Sequence, residues 1–119
     1  MANVLAVDDS ESIRRMVELT LDDEDHDVTL AEDGQIALGY AKDESFDLVI
    51  TDINMPNMGG FELIRQLRSL PQYKLTPIIC LTTESSDEQK AKGRAAGATG
   101  WIVKPFSAEK LINIIDRVL

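Results

Sequence analysis

Polar residues stand at the end of each apolar run of strand length, and five of them could do chemistry together. In chain order these five are Asp8, Asp9, Asp52, Thr82 and Lys104, while Glu32 and Asp33 follow the second run. Three carboxylates in one place would repel one another, and a divalent cation would neutralise them. Hard oxygen ligands, with positions left for water and substrate oxygens, suit Mg²⁺. Such a cation, together with the Lys104 ammonium and the Thr82 hydroxyl, would stabilise a phosphoryl group during its transfer. Asp52 would be the nucleophile that accepts this group.

Each of these residues also has a purely structural interpretation when it is taken alone. An aspartate at a strand end is often a turn or cap residue, and the Asp8–Asp9 pair could cap a helix. A single Thr82 is commonly a loop residue, and a single Lys104 is commonly a surface charge. Their order along the chain (acid pair, acid, hydroxyl, lysine) and their placement at strand ends favour the chemical interpretation.

The elements that must position these residues alternate between strand-length and helix-length patterns. The apolar runs of strand length are Val4–Val7, Val28–Ala31, Leu48–Ile50, Ile78–Leu81 and Gly100–Val103. Amphipathic segments of helical period follow each run; Gly93 weakens the fourth, and Ser107 is expected to cap the fifth. This alternation predicts an α/β fold, with helices on both faces of a parallel sheet. Ligands of such sheets bind beyond the carboxyl ends of the strands, which share one edge.

Length and charge limit the class of protein further. The 119 residues predict one domain, 1–119, and no output domain is expected after the fifth helix. Lys and Arg number 12 against 21 Asp and Glu, a net charge of -9, which argues against nucleic acid and anionic membranes as partners. Because no stretch resembles a signal peptide or a transmembrane segment, we expect a soluble, cytoplasmic protein. We also expect a monomer. Cys80, in an apolar run, is expected to be inert core.

Several longer motifs cover nearly the whole chain. They are "VLAVDDS", "AEDG", "LVITDINMPNMGGFELIRQLR", "IICLTTE" and "AAGATGWIVKPF". In this order and spacing they resemble the receiver domains of two-component response regulators, most of all the single-domain chemotaxis regulators of the CheY type. The resemblance implies a doubly wound, flavodoxin-like (βα)5 fold with strand order 2-1-3-4-5.

The resemblance also implies roles for particular residues. Asp52 would accept a phosphoryl group from a histidine kinase, so that the protein would be a signalling switch and not an enzyme acting on other substrates. The implied Mg²⁺ ligands are Asp8, Asp9, Asp52 and the backbone carbonyl of Asn54. Thr82 would hydrogen-bond the phosphoryl group and Lys104 would pair with it. The Lys104–Pro105 peptide would be cis, as X–Pro bonds can be.

Trp101 takes the position of an aromatic switch residue, which is commonly Tyr or Phe in similar proteins. The resemblance implies that Thr82 moves toward the phosphoryl group on phosphorylation and that the aromatic ring then packs inward. It also implies that Asn54 and Glu84 tune the rate of dephosphorylation. Gly93 and the polar surface of the fourth helix depart from the chemotaxis pattern. The resemblance therefore implies phosphorylation more directly than it implies binding to the flagellar motor.

The partners implied are a CheA-like histidine kinase as phosphodonor, a phosphatase, and the flagellar motor switch protein as the target in chemotaxis. A phosphate sink, or a receiver with another protein target, is the alternative output. Two other classes fit less well. A flavin carrier of this topology needs an uncharged phosphate-binding loop where this chain has "DDSES". A phosphatase of the haloacid dehalogenase type places D-x-D after the first strand, where the acids here are adjacent.

Overall fold

A computed structural model describes residues 2–119, and its elements alternate as the sequence predicts. The strands are Asn3–Val7 (β1), Asp27–Ala31 (β2), Leu48–Thr51 (β3), Ile78–Thr82 (β4) and Gly100–Val103 (β5). The α-helices are Glu11–Asp22 (α1), Gly34–Asp43 (α2), Gly60–Ser69 (α3), Asp87–Ala96 (α4) and Ala108–Val118 (α5). A 3-10 turn, Pro71–Tyr73, lies between α3 and β4. Each strand begins and ends within one residue of the predicted run.

The five strands form one parallel sheet in the order β2-β1-β3-β4-β5. This order confirms the doubly wound, flavodoxin-like arrangement that the resemblance implied. The register places Val7, the last residue of β1, between Ala31 of β2 and Thr51 of β3. Strand order reverses between β1 and β3, so a crevice opens beyond the ends of these two strands.

Two apolar cores cover the sheet, one on each face. The first includes Leu5 and Val49 from the sheet and Leu63 from α3, and it extends to α2 and α4. The second includes Val4 and Ile50, which contribute from the opposite face, and it extends to α1 and α5. Near-continuous apolar strands are typical of a sheet buried on both faces. No helix within residues 2–119 has the length and apolar character needed to cross a membrane.

Side chains cap the N-termini of four of the α-helices. The capping residues are Ser10 for α1, Asp33 for α2, Ser86 for α4 and Ser107 for α5. Each accepts a hydrogen bond from a backbone N–H of the first turn, which would otherwise lack a partner. Ser107 is the cap that the sequence predicted. Because Ser10 caps α1, the carboxylates of Asp8 and Asp9 are free for other contacts.

Candidate functional site

Three carboxylates meet at the crevice beyond β1 and β3. One oxygen from each of Asp8, Asp9 and Asp52 lies within 4.8 Å of the others. The sheet brings them together: the Asp52 N–H donates to the carbonyl of Val7 at 2.9 Å, which continues the pairing of β3 with β1 past the end of the strand. Asp8 and Asp52 are buried, whereas Asp9 is exposed. We call these three residues the acid cluster.

Lys104 reaches the acid cluster from the end of β5. Its Nζ donates to Oδ2 of Asp8 at 2.7 Å and to Oδ2 of Asp52 at 3.2 Å. The remaining oxygens of the two carboxylates accept backbone N–H groups, from Ser10 at 3.0 Å and from Ile53 at 2.7 Å. The Lys104–Pro105 peptide is cis, as the resemblance implied. The lysine therefore bridges two of the three carboxylates.

Burial and charge shift the pKa values of this pair. Burial raises the pKa of Asp8 above its usual range, and the hydrogen bonds from Lys104 and Ser10 offset this only in part. Burial alone would lower the pKa of Lys104, but the hydrogen bond to Asp8 and the attraction of Asp52 outweigh it, so that the lysine pKa is raised. Lys104 therefore stays charged near neutral pH.

The donor set of the acid cluster fits a hard divalent cation. Three carboxylate oxygens are close enough to share one ion, and oxygen ligands with open positions suit Mg²⁺. One lysine cannot neutralise three carboxylates, so a cation would also relieve their mutual repulsion. Asn54 lies in the exposed loop two residues beyond Asp52, and the metal contact of its carbonyl stays a prediction.

Thr82 and Glu84 lie at the next strand end along the sheet. Thr82 is the buried last residue of β4, and β4 pairs with β3, which ends beside Asp52. The Thr82 hydroxyl accepts the N–H of Glu84 at 3.3 Å. The structure thus brings the hydroxyl to the same edge as the acid cluster, and the loop that follows it is tied to that hydroxyl.

Trp101 packs against α4 and contacts the same loop. Its indole Nε1 donates to the carbonyl of Glu84 at 2.9 Å, and its ring lies 6.5 Å from that of Phe61, centroid to centroid. A Cβ atom on Gly93 would lie only 2.8 Å from Cζ3 of the indole. From the sequence, Gly93 is expected to weaken α4. In the structure, its lack of a side chain leaves room for the indole. The indole is half-buried here, and its inward movement on phosphorylation stays a prediction.

Two grooves flank Trp101 on the face formed by α4, β5 and α5. One, of about 190 Å³, is lined by Lys90 and Arg94 of α4. The other, of about 490 Å³, is lined by Lys110 and Arg117 of α5 and by one acid, Glu109. These four cations stand out in a chain whose net charge is -9. The face is therefore locally basic, with an aromatic ridge between its grooves.

Asp33 and Gly34, which are outside the predicted set of site residues, contact the loop that carries Asp52 and Asn54. Asp33 accepts a hydrogen bond from the side chain of Asn57, and Gly34 bonds the backbone of Met58. The sequence held a signal for this contact. An Asp-Gly pair after a strand and an Asn within "MPNMGG" are both turn residues, but neither pattern says that the two turns touch.

Comparison with known proteins identifies the family. The model of the response regulator receiver domain matches residues 4–116. The chain belongs to this family. Receiver domains take a phosphoryl group from histidine kinases, generally bind Mg²⁺ at an acidic pocket, and act on protein targets as signalling switches.

Relatives of this receiver domain include both short and long proteins. It is 39% identical over 116 residues to chemotaxis protein CheY-3 of Vibrio cholerae, covering 97% of this chain and 89% of that protein. It is 40% identical over 119 residues to response regulator ArlR of Staphylococcus epidermidis, and the chain spans about half (53%) of that relative's length. The solved structure of chemotaxis response regulator CheY4 of Vibrio cholerae is 55% identical with a TM-score of 0.96, covering 100% of this chain and 99% of that one.

Proposed function

We propose that this receiver domain is a switch in which Asp52 accepts the phosphoryl group. The observation that carries the proposal is the convergence of Asp8, Asp9 and Lys104 on the carboxylate of Asp52. An aspartate that served only as a turn residue would not need two further carboxylates and a half-buried lysine around it. The family supports the same chemistry, because receiver domains accept phosphoryl groups from histidine kinases.

The residues of the site divide the work of the transfer. A carboxylate oxygen of Asp52 forms the new O–P bond as the P–N bond to the imidazole of the donor histidine breaks. The Lys104 ammonium neutralises charge on the phosphoryl oxygens, and the Thr82 hydroxyl turns from Glu84 to donate to one of them. Mg²⁺, held by the acid cluster and the Asn54 carbonyl, would supply further charge neutralisation. Asn54 and Glu84 flank the phosphoryl group and influence the access of water to it.

For the output we propose a chemotaxis role, with the flagellar motor switch protein as the target. Two relatives that this chain covers almost fully bear chemotaxis names. The basic grooves beside Trp101 favour an acidic segment of the target, and the link from Thr82 through Glu84 to the indole offers a route for the signal. The phosphodonor would then be a CheA-like kinase, opposed by a phosphatase. The protein would act in the cytoplasm as a monomeric single domain.

A second output is a phosphate sink or a different protein target. The 40% identity to response regulator ArlR, of which the chain spans about half, favours keeping this candidate, because similar receiver sequences occur in longer regulators. Binding of an N-terminal flagellar switch peptide, measured with and without the phosphoryl mimic beryllofluoride, separates the two. We expect several-fold tighter binding with the mimic. Equal affinity in both conditions would favour the second output.

Labelling with a radioactive acyl phosphate tests the phosphorylation site. We expect Mg²⁺-dependent label on the wild type and none on Asp52→Asn, since the amide is not a nucleophile. Asp116→Asn, an exposed acid on α5, makes the same change of charge away from the crevice and should label normally. Label that persists on folded Asp52→Asn would rule out Asp52 as the acceptor.

A further inference from the structure

The loop that carries Asp52 and Asn54, residues 52–59, is joined to the short loop before α2. The Asn57 side chain donates from Nδ2 to Oδ2 of Asp33 at 2.9 Å. One residue further along each loop, the Gly34 N–H donates to the carbonyl of Met58 at 3.2 Å. We call this pair of hydrogen bonds the loop clamp.

The clamp is built for this one arrangement. A Cβ atom on Gly34 would lie 2.6 Å from the carbonyl oxygen of Met58, so a residue with a side chain would force the loops apart. Asn57 has a φ of 68°, a left-handed conformation that Asn tolerates better than most residues. Asp33 is buried, and its other oxygen accepts the N–H of Ile36 at 2.9 Å. Both partners are therefore held in place from their own side.

The opposite end of the 52–59 loop is held as tightly. The Gly60 N–H donates to the carbonyl of Ile53 at 2.9 Å. A Cβ atom on Gly60 would overlap the carbonyl oxygen of Asp52, so glycine is required for this close approach. Asn54 lies between the two anchored ends, and its carbonyl is the predicted metal contact.

We propose that Asp33 and Asn57 are positioning residues for the phosphorylation site. By fixing the far end of the 52–59 loop, they hold the Asn54 carbonyl and the Asp52 carboxylate in place before a cation binds. A loop ordered in advance spares the binding event the entropy of ordering it. This inference rests on the proposed function, because it concerns the cation of the same site.

Asn57→Asp tests the loop clamp, because the substitution has two effects on Mg²⁺ affinity that oppose each other. The new carboxylate faces Asp33 and pushes the loop away, which weakens Mg²⁺ binding if the clamp positions the ligands. Its added negative charge near the acid cluster would by itself strengthen Mg²⁺ binding. Calorimetry measures the dissociation constant for Mg²⁺, which we expect to be roughly tenfold higher in Asn57→Asp than in the wild type. Losing a residue that orients metal ligands typically weakens metal binding by this much.

The reciprocal variant and two controls complete the experiment. Asp33→Asn with Asn57→Asp restores a donor opposite a carboxylate at the wild-type net charge, and should return the dissociation constant to within about twofold. Asn57→Gly keeps the left-handed backbone without the amide and should also weaken Mg²⁺ binding, which covers the case in which Asn57→Asp fails to fold. Asp116→Asn should bind as the wild type does. Unfolding midpoints show that each protein is folded at the temperature of the titration.

The outcomes distinguish a failure of the loop-clamp proposal from a failure of the proposed function. Unchanged or tighter Mg²⁺ binding by Asn57→Asp or Asn57→Gly would overturn the clamp and leave the proposed function standing. A double variant that stays as weak as Asn57→Asp would also overturn it, since the repaired pair would then not matter. A wild type that binds no Mg²⁺ would overturn both proposals.

Discussion

Asp8, Asp33 and Asp52 are buried carboxylates that differ in what surrounds them. Asp8 and Asp52 share the ammonium of Lys104. Asp33 has two neutral donors instead, the backbone N–H of Ile36 and the side chain of Asn57. These donors lower the pKa of Asp33, whereas burial raises the pKa of Asp8. The same residue type therefore serves as a fixed structural anion at one strand end and belongs to the acid cluster at the next.

The lowered pKa of Asp33 predicts a pH dependence of stability. The ionised carboxylate stabilises the fold at pH above its ordinary pKa of 3.8, and this stabilisation is lost as the pH falls through the lower folded value. Asp33→Asn keeps a capping oxygen but removes the charge. Denaturant unfolding should therefore show a free-energy difference between wild type and variant that is constant above about pH 5 and shrinks toward pH 3. A difference that does not change with pH would contradict the assignment.

Among the elements, α4 and β5 are matched to each other at one contact. The Trp101 indole occupies the space above Gly93 and donates a hydrogen bond to Glu84 in the loop that follows Thr82. A glycine within a helix costs about 1 kcal/mol relative to alanine. The indole contact explains why this helix keeps it. The element that looked weakest in the sequence is thus the one shaped to receive the aromatic ring.

Gly93→Ala tests this match. In the wild-type background we expect it to destabilise the protein by about 1 kcal/mol, because overpacking against the indole exceeds the gain in helix propensity. In the Trp101→Phe background the smaller ring can yield, and the same substitution should stabilise by up to about 1 kcal/mol. Denaturant unfolding followed by circular dichroism measures both. Effects of the same sign and size in the two backgrounds would show that Gly93 and the indole are independent.

Across the whole molecule, charge is distributed unevenly. The net charge is -9, three acids crowd the crevice, and cations line the grooves beside Trp101. One edge of the molecule is thus suited to a cation and one face to an acidic segment. Both features depend on tertiary arrangement, because the acids come from two strand ends and the cations from two helices.

Mg²⁺ should stabilise the folded molecule, because the unfolded chain does not hold the three carboxylates together. At one hundred times its dissociation constant, a ligand of the native state adds about 2.7 kcal/mol to the free energy of unfolding. Denaturation with and without Mg²⁺ measures this gain. Asp9→Asn should lose most of it, while Asp116→Asn, with the same change of charge, should keep it. An equal gain in both variants would place the cation elsewhere.

Local pattern in the sequence determined the elements and their order. Apolar runs of strand length and helical periods between them predicted every strand and α-helix, because burial on two faces of a sheet requires such runs. The parallel topology predicted that Asp8, Asp9 and Asp52 would meet if the first and third strands were neighbours. The resemblance implied that strand order, and the structure has it. The motifs extended this to the family, which the comparisons confirmed.

Only the tertiary structure decided which distant residues touch. The contact of Asp33 with Asn57, the fit of Gly93 to Trp101 and the bridge of Lys104 between two carboxylates join residues far apart in the chain. Periodicity describes neighbours within an element and turn chemistry describes a few consecutive residues. Neither pattern predicts the distance between two loops, because that distance depends on how the packed helices place the loops at the end of the sheet.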